Sequence, residues 1–266
     1  MERIGLVAGG GDLPIIFARE ARKKGAKVIG FAIKGMAKPE FDGVCDRAHR
    51  VGFAEIPKFI FLLAAERIRK IALLGKIDKS VIYTQVKKGK KGRDIVDKSK
   101  DKSDYSILEK VTSEFEKRGI EVINGVEYLA ALFPQRGVLT ERRPSEQEVV
   151  DVEIGLRIAK EVARLDIGQT IIVKDKAVVS VEAMEGTDRT IERAAGICGA
   201  GFVVVKVSRP AQDMRWDVPT VGPDTVKCIV ENKGKVLALE EKKMFLVDKE
   251  ACVNLANQND ISIVVA

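Results

Sequence analysis

The sequence predicts an α/β protein of two domains, an N-terminal Rossmann-like domain with a parallel sheet and flanking helices and a C-terminal mixed α/β domain. The first third alternates apolar strand-like segments with amphipathic helical segments, the pattern of a parallel sheet covered by helices. A segment rich in Pro, Gly and Arg interrupts that pattern at 134–144, and 266 residues suffice for two domains. We therefore predict an N-terminal domain at 1–133, a linker at 134–144 and a C-terminal catalytic domain at 145–266.

The N-terminal elements follow from the apolar pattern and its interruptions. The first strand, Arg3–Ala8, leads into three glycines, and a helix then begins with Asp12 as its predicted cap and Pro14 in its first turn. Gly25 ends that helix. The later elements are predicted as a strand (Lys27–Ile33), a helix (Pro57–Arg69), a buried strand (Ile71–Leu74), a helix (Asp104–Arg118), a strand (Ile120–Ile123) and a short helix (Val126–Leu132).

The C-terminal half begins with a capping-box signature. Ser145 is followed three residues later by Glu148, and the helix they start extends to about Leu165. Further helices are predicted from Thr187, at Asp224–Asn232 and at Lys249–Leu255. The strands are predicted as a hairpin (Thr170–Val173 with Ala177–Ala183), a single strand (Phe202–Val207), a second hairpin (Val236–Glu240 with Lys243–Val247) and a last strand (Ile261–Val265).

Composition excludes several classes of protein. Four scattered cysteines with no C-x-x-C pair argue against a zinc ribbon or a disulfide framework, and one histidine, His49, excludes a multi-histidine metal site. His49 is interpreted as a surface residue without a catalytic role. No apolar run approaches the roughly 18 residues of a membrane span, so we expect a cytoplasmic protein without a signal peptide.

The net charge of +7 is concentrated in one segment. Lys76–Lys102 carries ten Lys or Arg against four Asp, a local excess of six positive charges. Such a segment is either a solvated loop or a site for an anionic partner, for example an anionic lipid surface. Nucleic acid is not expected, because only Tyr83 and Tyr105 lie near the segment and aromatic residues do not alternate with the basic ones.

Two turns in the first domain are candidates for binding phosphate. Gly9, Gly10 and Gly11 lie between a strand and a helix, where backbone amides and the helix N-terminus favour an anion. The spacing is not G-x-G-x-x-G and no acidic residue ends the second strand, which disfavours a nicotinamide dinucleotide. Gly75 and Lys76 follow the buried strand and could line the same crevice. The alternative is a tight turn without a ligand and an ordinary surface lysine.

Two polar clusters in the second domain favour metal-assisted phosphoryl chemistry. One places three carboxylates, from Glu182, Glu185 and Asp188, between a strand and a helix. The other is the polar loop from Ser208 to Val221, which follows Lys206 and contains two acids, two arginines and the only tryptophan. Oxygen ligands on loops suit Mg²⁺ or Mn²⁺, and Lys and Arg suit the charge of a phosphoryl transition state. The alternative is a set of ion pairs that satisfy one another.

The chain resembles the LpxI family over nearly its full length, because four motifs occur in the order of that family. These motifs are Gly5-Leu6-Val7-Ala8-Gly9-Gly10-Gly11-Asp12-Leu13-Pro14, Arg164-Leu165-Asp166-Ile167-Gly168-Gln169, Val181-Glu182-Ala183-Met184-Glu185-Gly186-Thr187-Asp188, and Lys206 with Pro210, Gln212, Arg215, Asp217 and Pro219. The third and fourth motifs are the specific ones. The basic segment Val86–Lys102 matches the family poorly.

The resemblance implies a two-domain, metal-dependent hydrolase of lipid A biosynthesis with its active site between the domains. Family members hydrolyse UDP-2,3-diacylglucosamine to UMP and 2,3-diacylglucosamine 1-phosphate (lipid X), with water attacking the phosphorus on the sugar side. Asp217 matches the catalytic aspartate of the family. A homodimer bound peripherally to the anionic inner membrane is also expected.

The predicted site is therefore assigned as follows. Catalytic roles are expected for Asp217, Lys206 and Arg215. The cofactor is expected to be Mg²⁺ or Mn²⁺, held by Asp217, Asp213, Asp188 and Glu185. Substrate contacts are expected from Gly9, Gly10, Gly11, Leu13, Pro14, Gly75, Lys76, Gln169, Thr187 and Gln212. Two alternatives remain open: a hydrolase of another nucleotide-linked pyrophosphate, and a non-catalytic module that binds a nucleotide or anion and docks on an anionic membrane.

Overall fold

The computed structural model describes residues 2–52, 55–76, 111–210, 213–215 and 218–266. The chain divides into two compact units. The first contains residues up to Ala130, together with Met214 and Arg215 from the polar loop, and the second contains the remaining residues from Ala131 onward. Among the described residues, no helix is both long and apolar enough to cross a membrane. The domain limits predicted above, with a linker at 134–144, stay a prediction.

The first unit contains a five-stranded parallel sheet in the order β3-β2-β1-β4-β5. Its strands are β1 (Arg3–Ala8), β2 (Lys27–Ile33), β3 (Arg47–Val51), β4 (Lys70–Leu74) and β5 (Glu121–Val122). The strand order reverses direction between β1 and β4, and the crevice outside their carboxyl ends is where open α/β sheets bind ligands. The predicted Rossmann-like sheet is confirmed.

Helices lie on both faces of this sheet. The described helices of the unit are α1 (Leu13–Lys23), α2 (Phe41–Val44), α3 (Ile56–Ala65) and α4 (Val126–Leu129), and residues 111–116 are also helical. On one face, Leu63 of α3 and Phe115 pack into a core with alternate residues of β2 and β4. On the other face, the ring of Phe17 in α1 lies 5.0 Å from that of Tyr128 in α4.

The second unit contains a six-stranded mixed sheet in the order β6-β13-β11-β9-β7-β8. Its strands are β6 (Gly137–Val138), β7 (Thr170–Lys174), β8 (Ala177–Val181), β9 (Val203–Lys206), β11 (Val236–Leu239) and β13 (Ser262–Val265). β9, β11 and β13 are parallel, whereas β6, β7 and β8 pair with their neighbours in antiparallel fashion. β6, which pairs with β13, comes from the segment predicted as a linker.

Three layers form the second unit because both faces of its sheet are apolar. The long helix α5 (Glu146–Arg164) covers one face, with Val152, Ala159 and Ala163 in its core. The other face is covered by α6 (Thr187–Cys198), α7 (Pro223–Glu231) and α8 (Lys249–Gln258). The predicted capping box is confirmed, since the Glu148 backbone N–H donates to the Ser145 hydroxyl and the Ser145 backbone N–H donates to the Glu148 carboxylate.

Three local predictions are wrong. The second predicted hairpin does not form: Val236–Leu239 is a buried parallel strand between β9 and β13, whereas β12 (Phe245–Leu246) pairs with β10 (Thr220–Val221) in a separate two-stranded sheet. Asp12 does not cap α1, because its carboxylate accepts a hydrogen bond from Lys38 Nζ at 2.7 Å. His49, predicted to lie at the surface, is in the edge strand β3, with its side chain mostly buried beside Glu66.

Candidate active site

The two predicted phosphate-binding turns of the first unit meet at the reversal point of its sheet. The Gly9 N–H donates to the Leu74 carbonyl at 2.8 Å, and Gly10 and Lys76 exchange two backbone hydrogen bonds of 2.8 Å. A side chain at Gly75 would not fit, because φ is +101° and a Cβ would lie 2.7 Å from the Gly10 carbonyl oxygen. Glycine is therefore required for the two turns to approach this closely.

This pairing determines which amides of the glycine turn can meet an anion. The N–H groups of Gly9 and Gly10 are used in the contact with β4 and its turn. Among the hydrogen bonds of the described residues, none uses the N–H of Gly11, Asp12 or Leu13, which precede the first turn of α1. Any phosphate at this turn would therefore be bound by Gly11 to Leu13 rather than by the first two glycines.

Other predicted contacts of the first unit lie near this turn. Leu13 is half-buried, Pro14 is buried and donates no backbone N–H, and Lys76 is exposed. Lys38, in the loop after β2, contributes a further cation that pairs with Asp12. The carboxyl edge of the sheet thus combines backbone donors with lysine side chains, a combination suited to a phosphate.

The second unit brings four element ends together around a buried lysine. Lys206 ends β9, is 8% exposed and pairs in register with Thr170 at the start of β7. Thr187 begins α6, and Glu182, also 8% exposed, follows β8. We call these four residues the Lys206 cluster. A buried ammonium and a buried carboxylate are costly unless they are hydrogen-bonded, so the contacts within the cluster determine whether it is stable.

The hydroxyl of Thr187 connects the members of this cluster. It lies 3.1 Å from Lys206 Nζ, 2.8 Å from Glu182 Oε1 and 3.3 Å from the Thr170 hydroxyl. Its single hydrogen goes to the carboxylate, because an ionised carboxylate only accepts, and the hydroxyl therefore accepts from Lys206 and from Thr170. All the hydrogen-bonding capacity of the Thr187 hydroxyl is used.

Gly168 and Gln169 fix the carboxylate of Glu182 from the other side. The Gln169 N–H donates to Glu182 Oε2 at 3.2 Å, and the Gln169 carbonyl accepts from the Val207 N–H at 2.9 Å. A Cβ on Gly168 would lie 1.9 Å from the Glu182 carbonyl oxygen, so the chain can approach this closely only with glycine. Gln169 Oε1 is buried and has no hydrogen-bond partner among the described residues, which leaves an acceptor next to the cluster.

Three predicted metal ligands are found in different surroundings. The Glu185 carboxylate accepts from Arg193 at 2.5 Å, from the Thr190 hydroxyl at 3.3 Å and from the Ala183 N–H at 3.1 Å. Hydrogen bonding to backbone amides and to Arg193 lowers the pKa of Glu185. Asp188 is exposed, and Asp213 is half-buried in the polar loop.

These ligands do not form a metal site in the described part of the chain. Among the described residues, no three His, Cys, Asp or Glu side chains are close enough together to hold a metal ion. Glu185 in particular is engaged by Arg193 and by α6. The described residues alone therefore do not provide three ligands for Mg²⁺ or Mn²⁺, and Asp217, the fourth predicted ligand, lies outside them.

The polar loop is held by pairs in both units. Arg209 pairs with Asp166 at 3.1 Å, and Arg215, grouped with the first unit, pairs with Glu116 at 2.9 Å. The Ser208 N–H and hydroxyl both donate to Glu240, at 2.8 and 2.9 Å. The predicted Gln212 contact and the predicted catalytic and metal-binding roles of Asp217 fall outside the described residues, as does most of the basic segment.

Comparison with known proteins assigns the family. A model of the LpxI N-terminal domain matches residues 3–132, and a model of the LpxI C-terminal domain matches residues 135–264. The chain belongs to the LpxI family. The resemblance inferred from the four motifs is thereby confirmed, as is the two-part α/β fold. Both halves of this LpxI chain match in the expected order and together span nearly all of it.

One curated relative of this LpxI chain covers both units. It is the UDP-2,3-diacylglucosamine pyrophosphatase LpxI of Caulobacter vibrioides, 29% identical over 268 residues that cover 97% of this chain and 95% of the relative. Solved structures give weaker likenesses. N5-carboxyaminoimidazole ribonucleotide synthetase from Thermotoga maritima is 14% identical, with a TM-score of 0.27 over 68% of this chain and 42% of that chain. The biotin carboxylase subunit of pyruvate carboxylase is also 14% identical, with a TM-score of 0.28 over 65% and 35%. This LpxI chain thus spans less than half the length of those two structures, and neither likeness supports an argument about it.

Two members of the Lys206 cluster, Thr170 and Glu182, are not among the site residues predicted from the sequence. In the sequence Glu182 is only one of three carboxylates in its motif, and the two of these that are predicted as metal ligands are Glu185 and Asp188. The hairpin geometry contained the signal, because the residue after β8 lies opposite Thr170 when the two strands pair, and the Glu182 N–H donates to the Thr170 carbonyl at 2.9 Å. Glu182 therefore belongs with Lys206.

Proposed function

We propose that this LpxI-family chain is a UDP-2,3-diacylglucosamine pyrophosphatase that produces UMP and 2,3-diacylglucosamine 1-phosphate in lipid A biosynthesis. The match of both LpxI domain models carries the proposal, and the name of the Caulobacter vibrioides relative supplies the substrate. The Lys206 cluster supports it chemically. A pyrophosphate diester resists attack because its oxygens are anionic, and a fixed, partly desolvated ammonium offsets that charge in the transition state.

The proposed roles divide between charge stabilisation and activation of water. Lys206 and Arg215 neutralise phosphate oxygens, and Asp217 orients or deprotonates the attacking water. Water attacks the phosphorus on the sugar side, the bond from that phosphorus to the bridging oxygen breaks, and UMP leaves. The amides of Gly11 to Leu13 are further donors proposed to hold a phosphate oxygen.

An oxygen-18 experiment tests both the substrate and the point of attack. The purified chain is incubated with UDP-2,3-diacylglucosamine in H₂¹⁸O, and the two products are analysed by mass spectrometry. We expect ¹⁸O in 2,3-diacylglucosamine 1-phosphate and none in UMP, because the attacked phosphorus retains the oxygen of water. Label in UMP would contradict sugar-side attack. Hydrolysis of other nucleotide-linked pyrophosphates in preference would identify a different substrate, and no turnover at all would favour the non-catalytic binding module.

Substitutions test the assigned residues against a matched control. We expect Asp217→Ala and Lys206→Met each to lower kcat by about 100-fold or more, because each removes a charge used in the transition state. Lys227→Met is the control, since Lys227 is 65% exposed on α7 and pairs only loosely with Glu231, at 3.8 Å. Equal activity of Asp217→Ala and the unsubstituted chain would overturn the assignment.

Dependence on Mg²⁺ or Mn²⁺ is part of the proposal and is tested separately. The chain is treated with EDTA, dialysed against metal-free buffer and assayed before and after each metal is restored. We expect activity to fall with EDTA and to return with a divalent cation, because a divalent cation offsets phosphate charge. Full activity after chelation would show that protein cations suffice.

Peripheral association with an anionic membrane is proposed on two features of the first unit. One is the positive excess of Lys76–Lys102. The other is a groove of about 830 Å³ beside the apolar helix α3, lined by Ile60, Leu63, Ala64, Arg67, Ile68, Arg69, Arg118, Gly119 and Ile120. Phe61, on the same helix, is 70% exposed. Apolar side chains bordered by arginines suit an anionic lipid surface.

Vesicle binding tests this surface. We expect the chain to sediment with vesicles of equal phosphatidylglycerol and phosphatidylcholine, less so at high salt, and not with phosphatidylcholine alone. Phe61→Ser combined with Arg67→Glu should weaken binding, whereas Ile197→Ser, which changes a 64% exposed side chain in the second unit, should not. If the double variant bound vesicles as the unsubstituted chain does, the membrane-binding surface would not include Phe61 and Arg67. The homodimer is proposed on the family resemblance alone, and analytical ultracentrifugation measures it.

A further inference from the structure

We infer that Glu182 and Thr187 form a relay that positions the ammonium of Lys206 for phosphate. The inference rests on the proposed function. Glu182 and Thr187 are positioning residues in this account, because they act through Lys206. Nothing in the likeness to other proteins assigns this role to Glu182.

The hydrogen bonds of the cluster have only one consistent direction. Lys206 Nζ donates to Thr187 Oγ1, and Thr187 Oγ1 donates to Glu182 Oε1, at 3.1 and 2.8 Å. The Thr170 hydroxyl, whose residue is 0% exposed, donates to the remaining lone pair of Thr187 at 3.3 Å. One hydroxyl thus connects a buried carboxylate, whose position is fixed, to a buried ammonium through two hydrogen bonds.

The carboxylate is itself held rigidly. Its second oxygen accepts from the Gln169 N–H, and the backbone N–H of Glu182 donates to the carbonyl of Thr170, the first residue of β7. Gly168 allows this approach, as its hypothetical Cβ would collide with the Glu182 carbonyl. The relay therefore begins at strand backbone and ends at Lys206, with a single side-chain hydroxyl between the charged groups.

Such rigidity is useful for catalysis because a flexible lysine loses effectiveness when it moves. A displacement of about 1 Å at a reacting centre can cost roughly 100-fold in rate. A long amine side chain has several rotatable bonds, and the contact with Thr187 restricts the position of its terminal atom at the end of β9. Removal of the hydroxyl should therefore affect turnover more than substrate affinity.

The test compares four variants in the hydrolysis of UDP-2,3-diacylglucosamine. Thr187→Val removes the hydroxyl at nearly constant shape, Thr187→Ser keeps it, and Glu182→Gln removes the charge at constant size. Ser180→Ala is the control, because Ser180 is 2% exposed on β8 and its hydroxyl has no hydrogen-bond partner among the described residues. We expect Thr187→Val and Glu182→Gln to lower kcat by about 10- to 100-fold with little change in KM. Thr187→Ser should restore most of that loss.

A double substitution separates positioning from general support of the fold. In a Lys206→Met background, Thr187→Val should cause no further loss, because the group that it positions is already absent. A further loss equal to that in the native background would show a merely structural role and overturn the inference. The inference would also be overturned if Thr187→Val had the same kcat as Ser180→Ala. If the unsubstituted chain does not hydrolyse the substrate, the proposed function fails first, and the inference fails with it.

Discussion

Glu148 stabilises the start of α5 through two different partners. It accepts the Ser145 N–H at 2.7 Å and both carboxylate oxygens accept from Arg142, at 2.7 and 2.9 Å. Burial opposes ionisation of this carboxyl, but the hydrogen bonds from Arg142 and Ser145 outweigh that effect and lower its pKa. Arg142 also donates to the Ser262 hydroxyl, so the pair connects the start of α5 to the start of β13.

A lowered pKa makes this contribution to stability dependent on pH. Above the ordinary carboxyl pKa of about 4.3 the ionised group favours the folded state, and this contribution is lost as pH falls through the lower folded-state value. We expect Glu148→Gln to lower the free energy of unfolding by about 1–3 kcal/mol at pH 7. This difference in the free energy of unfolding should become smaller when the pH is well below about 4. Urea denaturation at both pH values measures it.

Glu146→Gln is the matched control for this prediction. Glu146 is exposed in the first turn of the same helix, so its loss should cost only a few tenths of a kcal/mol through the helix dipole. If Glu148→Gln lowered the free energy of unfolding by the same amount in acid as at pH 7, the charge of Glu148 would not contribute to stability.

Individual residues of the site were predicted with uneven success, for a physical reason. Lys206, Thr187 and Gln169 are all at ends of elements, and the paired sheet brings those ends together. Glu182 was missed because a run of several carboxylates does not reveal which one points into the sheet. Only strand register decides that, and register depends on long-range pairing.

At the scale of elements, the prediction of strands from the sequence fails for a continuous apolar run and for a polar edge strand. Val236–Leu239 was assigned to a hairpin, yet all four residues are buried, which is typical of a central parallel strand. Arg47–Val51 was missed because only Val51 is buried, and the strand is held by pairing with β2 and by Glu66, which accepts from Arg47 at 2.9 Å and lies 3.0 Å from His49. By contrast, the first hairpin is confirmed, since β7 and β8 pair in antiparallel fashion and the turn at Asp175 and Lys176 adopts positive φ.

Packing of α5 on the second sheet depends on a glycine. A Cβ at Gly155 would lie 2.4 Å from Val205 Cγ2 and 3.2 Å from Val173 Cγ2, so the helix can pack this closely only without a side chain there. Gly196, in α6, has nothing within 4 Å of its hypothetical Cβ. The two helical glycines therefore provide opposite cases for one substitution.

We expect Gly155→Ala to lower the free energy of unfolding by about 1–3 kcal/mol, because overpacking outweighs the better helix propensity of alanine. Gly196→Ala should raise it by about 0.5–1 kcal/mol, since only the propensity changes. Chemical denaturation of both variants measures the difference. Destabilisation by both substitutions to the same extent would mean that contact with Val205 is not the cause.

At the scale of the whole molecule, each unit has a separate hydrophobic core. Leu63 is 1% exposed within the core of the first unit, and Ile229 is 0% exposed within a core of the second. Truncation of either side chain removes buried apolar contacts and leaves a cavity, at a cost of about 2–5 kcal/mol. Because each core is built from residues of one unit, its loss should act locally.

Calorimetry of two truncations tests this independence. We expect two thermal transitions, with Leu63→Ala lowering one transition temperature and Ile229→Ala lowering the other. A shift of several degrees is expected for each, since about 1 kcal/mol corresponds to roughly 4 °C in a domain whose size lies between 100 and 150 residues. The unsubstituted chain and the double variant complete the comparison, and in the double variant each transition should shift as it does in the single variant, because the sites share no partners. A single transition that both variants lower equally would instead mean that the units unfold as one cooperative body.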